Sequence, residues 1–158
     1  MVLVDVRQAD GYRRGVTVRL PSSVWGDVVA HAQAGYPFEV CGLIAVRRGS
    51  LEATRAIRLP NVAYDPAVGF VADPAAEVAA YADADAAGED LLILYHSHPS
   101  GRLVLSSRDV AMSPPGVLLW LVVGGNPLRG GLWRVTRDAS GARVEPFAWT
   151  VVDDHGGV

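Results

Sequence analysis

The amino-acid sequence predicts one α/β or α+β domain organised around a mixed β-sheet. Short apolar runs of strand length recur along the chain, and other stretches carry the apolar spacing or the end signals of helices. These strands and helices alternate irregularly and without an internal repeat, which favours a mixed sheet over a regular parallel one. With 158 residues, half of them apolar, the chain is long enough to bury a substantial core. We expect the domain to span residues 1–152, followed by a disordered tail at 153–158.

The strands are predicted by apolar runs that are separated by turn residues. They cover residues 1–6, 15–20, 40–48, 51–59, 91–98, 117–123, 131–137 and 143–151. The strands at 40–48 and 51–59 flank Gly49-Ser50 and should form a hairpin. Residues 61–71 carry turn signals and predict a loop.

Three helices are predicted from their end signals. The first should begin after Pro21 with a serine N-cap, bury one apolar face and stop at Gly35. The second should be capped by Asp73 and run through an alanine-rich stretch to a stop at Gly88. A short third helix is expected over residues 106–112.

Residue types that bind metals follow the predicted strand at 91–98. His96 and His98 are two residues apart, and residues i and i+2 of a strand point to the same face, so both imidazoles should project together. Pro99 ends the strand because it has no N–H for a ladder hydrogen bond. Asp109 lies in the first turn of the third helix, where the helix dipole keeps a carboxylate ionised. Together they supply three ligands, the number that a catalytic zinc site uses when its fourth position stays open.

The spacing His-Ser-His-Pro, six residues, Ser, two residues, Asp resembles the JAMM (MPN+) metalloprotease signature. That signature also has an upstream glutamate, and Glu39 stands in matching context. The resemblance covers about residues 16–135. It implies a cytidine-deaminase-like fold, in which a curved mixed sheet has helices on both sides. It also implies one Zn²⁺ per chain, held by His96, His98 and Asp109.

In the resembling family the other motif residues carry the chemistry. Glu39 would be the general base that activates a zinc-bound water and returns the proton to the leaving amine. Ser106 would help to hold the polarised carbonyl oxygen. Ser106 and Asp109 also match a capping box, which would compete with the metal for the same carboxylate, and ligation is the favoured interpretation. Leu105 replaces a proline that many members carry, a difference that concerns the loop and not the ligands.

Other side chains near the motif give weaker indications. Cys41 lies two residues after Glu39 and would share its face on a strand, but a buried cysteine is commonly just a small apolar residue. Arg102 lies in the loop between the histidines and Ser106, where it could meet a carboxylate of the substrate. His31 falls in the first helix and is expected at the surface.

Composition and motifs exclude several function classes. The net charge of −3 gives no sign of a nucleic-acid or membrane partner. The single cysteine excludes an internal disulfide, and it cannot supply the Pro-Cys-x-x-Cys of a zinc nucleoside deaminase. Because no signal peptide and no apolar run of membrane-spanning length is visible, the sequence predicts a cytoplasmic protein.

The resemblance implies a zinc metallopeptidase that hydrolyses a peptide or isopeptide bond after the Gly-Gly end of a ubiquitin-like protein. The small bacterial members that it resembles release cysteine or a short peptide from sulfur carriers, whose extended tail could lie along an exposed strand near the metal. Two alternatives stay open. One is a metal-free MPN scaffold that only binds partners, and the other is a RadC-like protein associated with DNA repair, which shares the His-Pro-Ser-Gly at 98–101. The sequence assigns no oligomeric state.

Overall fold

The computed structural model describes residues 16–113 and 116–155, so the strand predicted at residues 1–6 lies outside it. The strands in this part of the chain are β1 (Val18–Pro21), β2 (Cys41–Arg47), β3 (Ala53–Leu59), β4 (Glu89–His98), β5 (Gly116–Gly124), β6 (Arg129–Asp138), β7 (Gly141–Pro146) and β8 (Trp149–Val152). The helices are α1 (Ser22–Gly35), α2 (Pro74–Ala86) and α3 (Ser107–Met112). None of these three helices has the length and apolar character needed to cross a bilayer.

Among the described residues, six strands form one mixed sheet in the order β3-β2-β4-β5-β6-β7. β4 lies in the interior, antiparallel to β2 and parallel to β5, and the other neighbouring pairs are antiparallel. The connection from β4 to β5 runs through α3, because parallel strands need a crossover. The predicted hairpin is β2 and β3. The mixed α+β class predicted from the sequence is confirmed.

A helix covers each face of this sheet. Ile44 of β2 packs in one apolar cluster, while its neighbours Leu43 and Ala45 pack in a second, since successive strand residues point to opposite faces. The first cluster is covered by α1 and the second by α2. The buried helix residues are Val24, Val28 and Ala32 of α1 and Ala80 and Ala84 of α2. The arrangement implied by the resemblance, with helices on both sides, is confirmed.

The predicted helix caps are right for α2 and wrong for α1. Asp73 caps α2 and accepts a hydrogen bond from the Ala76 N–H at 3.2 Å. The N-cap of α1 is Pro21 instead of a serine, and it makes no side-chain cap. The N–H and the hydroxyl of Ser23 donate to Asp154 Oδ1 at 3.0 and 2.9 Å. Asp154, which is 131 residues away in sequence, thus accepts a hydrogen bond from a backbone N–H in the first turn of α1. No local sequence pattern could reveal this partner.

The single strand predicted over residues 143–151 is also wrong, because the chain forms two strands, β7 and β8, with two residues between them. Pro146 removes one ladder donor, and the chain then turns from β6 toward β1. β8 pairs with β1 in a separate parallel pair. This pairing brings Asp154 to α1, where it accepts a hydrogen bond from Ser23. Asp154 belongs to the tail predicted to be disordered over residues 153–158, and this contact orders the tail at that residue. Residues 156–158 lie outside the described part of the chain.

Candidate active site

The two histidines of the motif lie at the end of β4, in the interior of the sheet. His96 and His98 point to the same face, as their spacing predicts, and their Nε2 atoms are 2.9 Å apart. Both side chains are buried. The His96 ring packs against Phe70 and Trp120, with ring centroids 4.8 and 5.4 Å away. Aromatic neighbours therefore restrict the orientation of this imidazole.

The first turn of α3 brings Asp109 to the histidines. Ser106 is the N-cap: its Oγ accepts from the Asp109 N–H at 3.1 Å, and Asp109 Oδ2 accepts from the Ser106 N–H at 2.8 Å. The same Oδ2 lies 3.2 Å from His96 Nε2 and 3.3 Å from His98 Nε2. The oxygen that closes the capping box is thus also the one that faces both histidines. The two uses of this carboxylate, which the sequence suggested would compete, are geometrically compatible, because a carboxylate offers about four lone-pair sites.

These three atoms have the spacing of a metal site. In a tetrahedral zinc site with metal–ligand distances of about 2.0–2.1 Å, neighbouring ligand atoms lie about 3.3 Å apart. The separations among His96 Nε2, His98 Nε2 and Asp109 Oδ2 are 2.9, 3.2 and 3.3 Å. Within the part of the chain that the structure describes, no other group of three His, Cys, Asp or Glu side chains converges in this way. The donor set therefore fits a small divalent cation.

Contacts around the histidines select the nitrogen atoms that face the cluster. His98 Nδ1 lies 3.0 Å from the carbonyl oxygen of Arg102, which can only accept, so Nδ1 carries a proton. In the neutral ring this leaves the Nε2 lone pair available to bind a metal ion. Burial lowers the pKa of His96 despite the nearby Asp109 carboxylate, which keeps that ring neutral.

In the metal-free protein this cluster retains a proton. Burial disfavours the charged forms of both His98 and Asp109, but the hydrogen bonds and charges within the cluster outweigh it. They raise the pKa of His98 and hold the pKa of Asp109 far below its usual range. The raised pKa of His98 favours a protonated ring beside the Asp109 carboxylate. A bound metal would take the place of this proton, so metal affinity falls as the pH falls.

Glu39 lies just before β2, and its side chain is buried at the edge of the same cleft as His98 and Asp109. Burial raises the pKa of Glu39 to about 7. The His98 and Arg108 charges oppose this shift, and the Asp109 charge adds to it. No described residue donates a hydrogen bond to the carboxylate. A carboxyl group that is half ionised near neutral pH can both accept a proton and return it.

Two residues that the sequence did not single out hold the Glu39 segment in place. Ser97 Oγ accepts from the Val40 N–H at 2.9 Å, and the Ser97 N–H donates to the Val40 carbonyl at 3.0 Å. Asn61 Nδ2 donates to the carbonyl oxygens of Glu39 and Gly69, at 2.9 and 3.1 Å. Ser97 stands between the two motif histidines and could have been noticed there. Asn61 looks like an ordinary turn residue, and nothing local indicates its role.

The cluster borders an open cleft of about 460 Å³. Most of its lining comes from residues 67–69 and from residues between 98 and 109. The titratable and hydroxyl side chains in its lining include Glu39, His98, Arg102, Ser106, Arg108 and Asp109. The structure therefore brings every residue of the predicted site to one place, with fully buried His96 beneath the cleft.

Cys41 and His31 lie outside this chemistry. The Cys41 thiol is fully buried, contacts the Leu59 carbonyl at 3.7 Å and has its pKa raised to about 12, first of all by burial. Such a thiol is not a nucleophile at neutral pH. His31 of α1 is half-buried, so its side chain is only partly at the surface. Its Nδ1 lies 2.8 Å from Tyr95 Oη, and burial lowers its pKa to about 4.

The raised pKa of Glu39 predicts how the stability of the metal-free protein depends on pH. Folding raises this pKa from 4.5 to about 7, so the folded state binds the proton more tightly. The resulting stabilisation is complete below pH 4.5 and is lost as the pH rises through about 7. In the presence of a chelator, we expect Glu39→Gln to melt several degrees above the wild type at pH 8 and to show a much smaller increase at pH 5. Calorimetry at both pH values checks this, and a difference that does not change with pH would contradict it.

Comparisons with known proteins agree with the motif. A family model described as prokaryotic homologs of the JAB domain matches residues 21–137. The chain is 38% identical over 100 residues to a probable TtuB-protein conjugate cleaving protease of Thermus thermophilus, covering 63% of this chain and 65% of that protein. It is 35% identical over 86 residues to a desampylase of Haloferax volcanii, covering 52% and 62%. The matches thus span slightly less than two thirds of these curated relatives.

A solved structure has the same fold. It is the solution structure of protein DSY2949 from Desulfitobacterium hafniense, with a TM-score of 0.75 and 23% sequence identity. The similarity covers 87% of this chain and 96% of that one. At this level of identity it supports the fold alone, namely the mixed sheet with helices on both faces.

Proposed function

The chain belongs to the family of prokaryotic homologs of the JAB domain, and we propose that it is a zinc peptidase that cleaves the amide bond after the C-terminus of a ubiquitin-like protein. One observation carries this proposal. His96 Nε2, His98 Nε2 and Asp109 Oδ2 lie within 3.3 Å of one another, beside a cleft that Glu39 and Ser106 also line. A ligand set, a base and a hydroxyl donor thus share one cleft.

His96, His98 and Asp109 would hold the zinc, which when bound would polarise the scissile carbonyl and make a water nucleophilic near neutral pH. Glu39 takes a proton from the attacking water and gives it to the leaving amine. In the metal-free protein burial raises the pKa of Glu39 to about 7, and a pKa near the working pH suits a group that both accepts and returns a proton. Since no described residue donates a hydrogen bond to its carboxylate, Glu39 is available to the reacting groups.

Ser106 is placed to stabilise the oxyanion that forms on the substrate carbonyl. Its Oγ accepts from the Asp109 N–H at 3.1 Å, which fixes the oxygen and leaves the hydroxyl proton free to be donated. Because this hydrogen bond forms part of the N-cap of α3, the Ser106 hydroxyl group is oriented before the substrate binds. Removing one such donor from an oxyanion hole typically costs about 2.7–4 kcal/mol of transition-state stabilisation.

The proposed substrate is a ubiquitin-like sulfur carrier with a peptide or isopeptide bond after its Gly-Gly end. The names of two relatives, a protease that cleaves TtuB-protein conjugates and a desampylase, support a protein conjugate as the substrate class. The carrier tail cannot add to β4, because β4 is paired with β2 and β5. It would instead lie in the cleft between residues 67–69 and 99–108. A cytoplasmic location is part of this proposal.

A cleavage assay tests the proposal. The protein, loaded with zinc, is incubated with a ubiquitin-like sulfur carrier that bears extra residues after Gly-Gly, and the masses of the products are measured. We expect loss of the mass that follows Gly-Gly when zinc is present, and an intact carrier when a chelator is present. An intact carrier in the presence of bound zinc counts against the function.

A metal-free scaffold that only binds partners is the alternative from another class. Scaffolds of this kind usually lack the ligands that converge here, so the geometry of the site favours the enzyme. Metal analysis separates the two, because the enzyme should contain about one zinc per chain. The RadC-like alternative receives no support from the net charge of −3.

A further inference from the structure

Arg108 places a positive charge at the cleft. It lies in the first turn of α3, and its guanidinium lies against Gly69. A β-carbon at position 69 would lie 2.5 Å from Arg108 Nη1 and 2.8 Å from its Cζ. Both residues line the cleft. The Arg108 side chain is exposed, and no described residue accepts a hydrogen bond from it, so its donors are available to a ligand.

Glu39 indicates on which side of the scissile bond this charge lies. In the proposed mechanism Glu39 gives its proton to the leaving amine, so the leaving group must bind beside Glu39. Asn61 Nδ2 donates to the carbonyl oxygens of both Glu39 and Gly69, and the Arg108 guanidinium lies against Gly69, so Arg108 lies beside the Glu39 segment. Both side chains line the same cleft, and the Arg108 charge lowers the pKa of Glu39. Arg102 uses its carbonyl oxygen to orient His98. The guanidinium on the leaving-group side is therefore that of Arg108. Arg102, which the sequence suggested for this role, lines the same cleft and is the alternative.

We propose that Arg108 binds a free carboxylate beside the leaving amine. The enzyme therefore prefers substrates in which a terminal residue is joined through its α-amine over substrates in which the bond is an isopeptide to a lysine side chain. This inference rests on the proposed function. An α-linked terminal residue carries its carboxylate on the carbon next to the scissile nitrogen. In a lysine isopeptide within a protein, the carboxyl group of that lysine is part of a peptide bond. A guanidinium matches a carboxylate through two parallel hydrogen bonds, and a peptide carbonyl offers no such partner.

The acidic side chains of the cleft favour a cation beside a bound carboxylate. A carboxylate that enters beside Glu39 and Asp109 meets two acids, of which Asp109 would be balanced by a metal. Without Arg108, the substrate carboxylate would face Glu39 uncompensated. The same cation would contribute little to a neutral leaving group. Arg108 therefore discriminates between leaving groups, and is not needed for hydrolysis as such.

Matched substrates test this inference. One carrier ends in Gly-Gly-Ala with a free carboxylate, the second ends in the same residues as the C-terminal amide, and a third bears an isopeptide to a lysine blocked at both ends. We expect the wild type to cleave the free acid with a kcat/KM about tenfold above that of the other two. Arg108→Gln should lower the value for the acid alone and abolish the preference. Arg143→Gln, which removes an exposed arginine of β7, is the control and should keep the preference.

The possible outcomes distinguish a failure of this inference from a failure of the proposed function. If no carrier is cleaved by the zinc-loaded wild type, the proposed function fails. If all three are cleaved equally, only the role of Arg108 fails. If Arg108→Gln slows all three equally, with its zinc content and melting temperature unchanged, the residue supports the cleft and does not bind the carboxylate. If Arg102→Gln abolishes the preference and Arg108→Gln does not, the assignment to Arg108 is overturned.

Discussion

Replacing His96 with alanine should remove zinc binding and peptidase activity together. In the proposed site His96 would supply one of three ligand atoms, and because it is fully buried, neither water nor a neighbouring side chain can readily replace it. Loss of a partner that only orients a ligand already lowers metal affinity about 10–100-fold. We therefore expect His96→Ala to lower zinc affinity by more than about 100-fold and activity below detection at one equivalent of zinc. Metal analysis after dialysis, together with the cleavage assay, measures both.

The melting temperature provides a readout that does not depend on turnover. Zinc that binds only the folded state raises the melting temperature of the wild type, and this increase should vanish in His96→Ala. His155→Ala, which removes an exposed histidine near the C-terminus, is the matched control. His96→Gln retains more of the side-chain volume between Phe70 and Trp120 and serves if the alanine variant is poorly folded. A His96 variant that binds one zinc with wild-type affinity would remove this residue from the ligand set.

The convergence of the motif residues could be predicted because it depends on local geometry. A two-residue spacing in a strand aims His96 and His98 at one face, and a capped helix start fixes where Asp109 points. Glu39 is different, since it reaches the site only through the pairing of β2 with β4, in which Cys41 lies opposite His96. For that residue, resemblance to a family was the sole sequence signal.

Contacts between distant parts of the chain could not be predicted. Asn61 and Glu39 are 22 residues apart, and Ser23 and Asp154 are 131 apart, yet each pair shares a hydrogen bond that orders a segment. Such partners depend on how the sheet folds back, and turn or cap propensities carry no information about them. Arg108 is a similar case. By sequence it is a spacer between Ser106 and Asp109, and only the folded structure shows that its guanidinium lies against Gly69 at the cleft.

Glu39→Gln should separate metal binding from catalysis. Glutamine has nearly the same shape as glutamate and cannot take a proton from water. Because Glu39 is outside the converging ligand set, the variant should still bind about one zinc per chain. Loss of a general base typically lowers the rate about 10²–10⁴-fold, and we expect a decrease of that size in kcat with KM little changed. Steady-state kinetics on the Gly-Gly-Ala carrier, with zinc content measured on the same samples, provides the test.

The pattern across variants distinguishes a base from a structural residue. Glu52→Gln changes an exposed glutamate and should behave as the wild type, which controls for the charge change. If Glu39 served mainly to hold the cleft together, its replacement would lower the melting temperature. The cost of ionising this buried carboxyl group predicts the opposite for the metal-free protein at pH 8. A variant that is at least as stable as the wild type, retains zinc and is nearly inactive therefore supports proton transfer by Glu39. Full activity in Glu39→Gln would instead require another group to carry the proton.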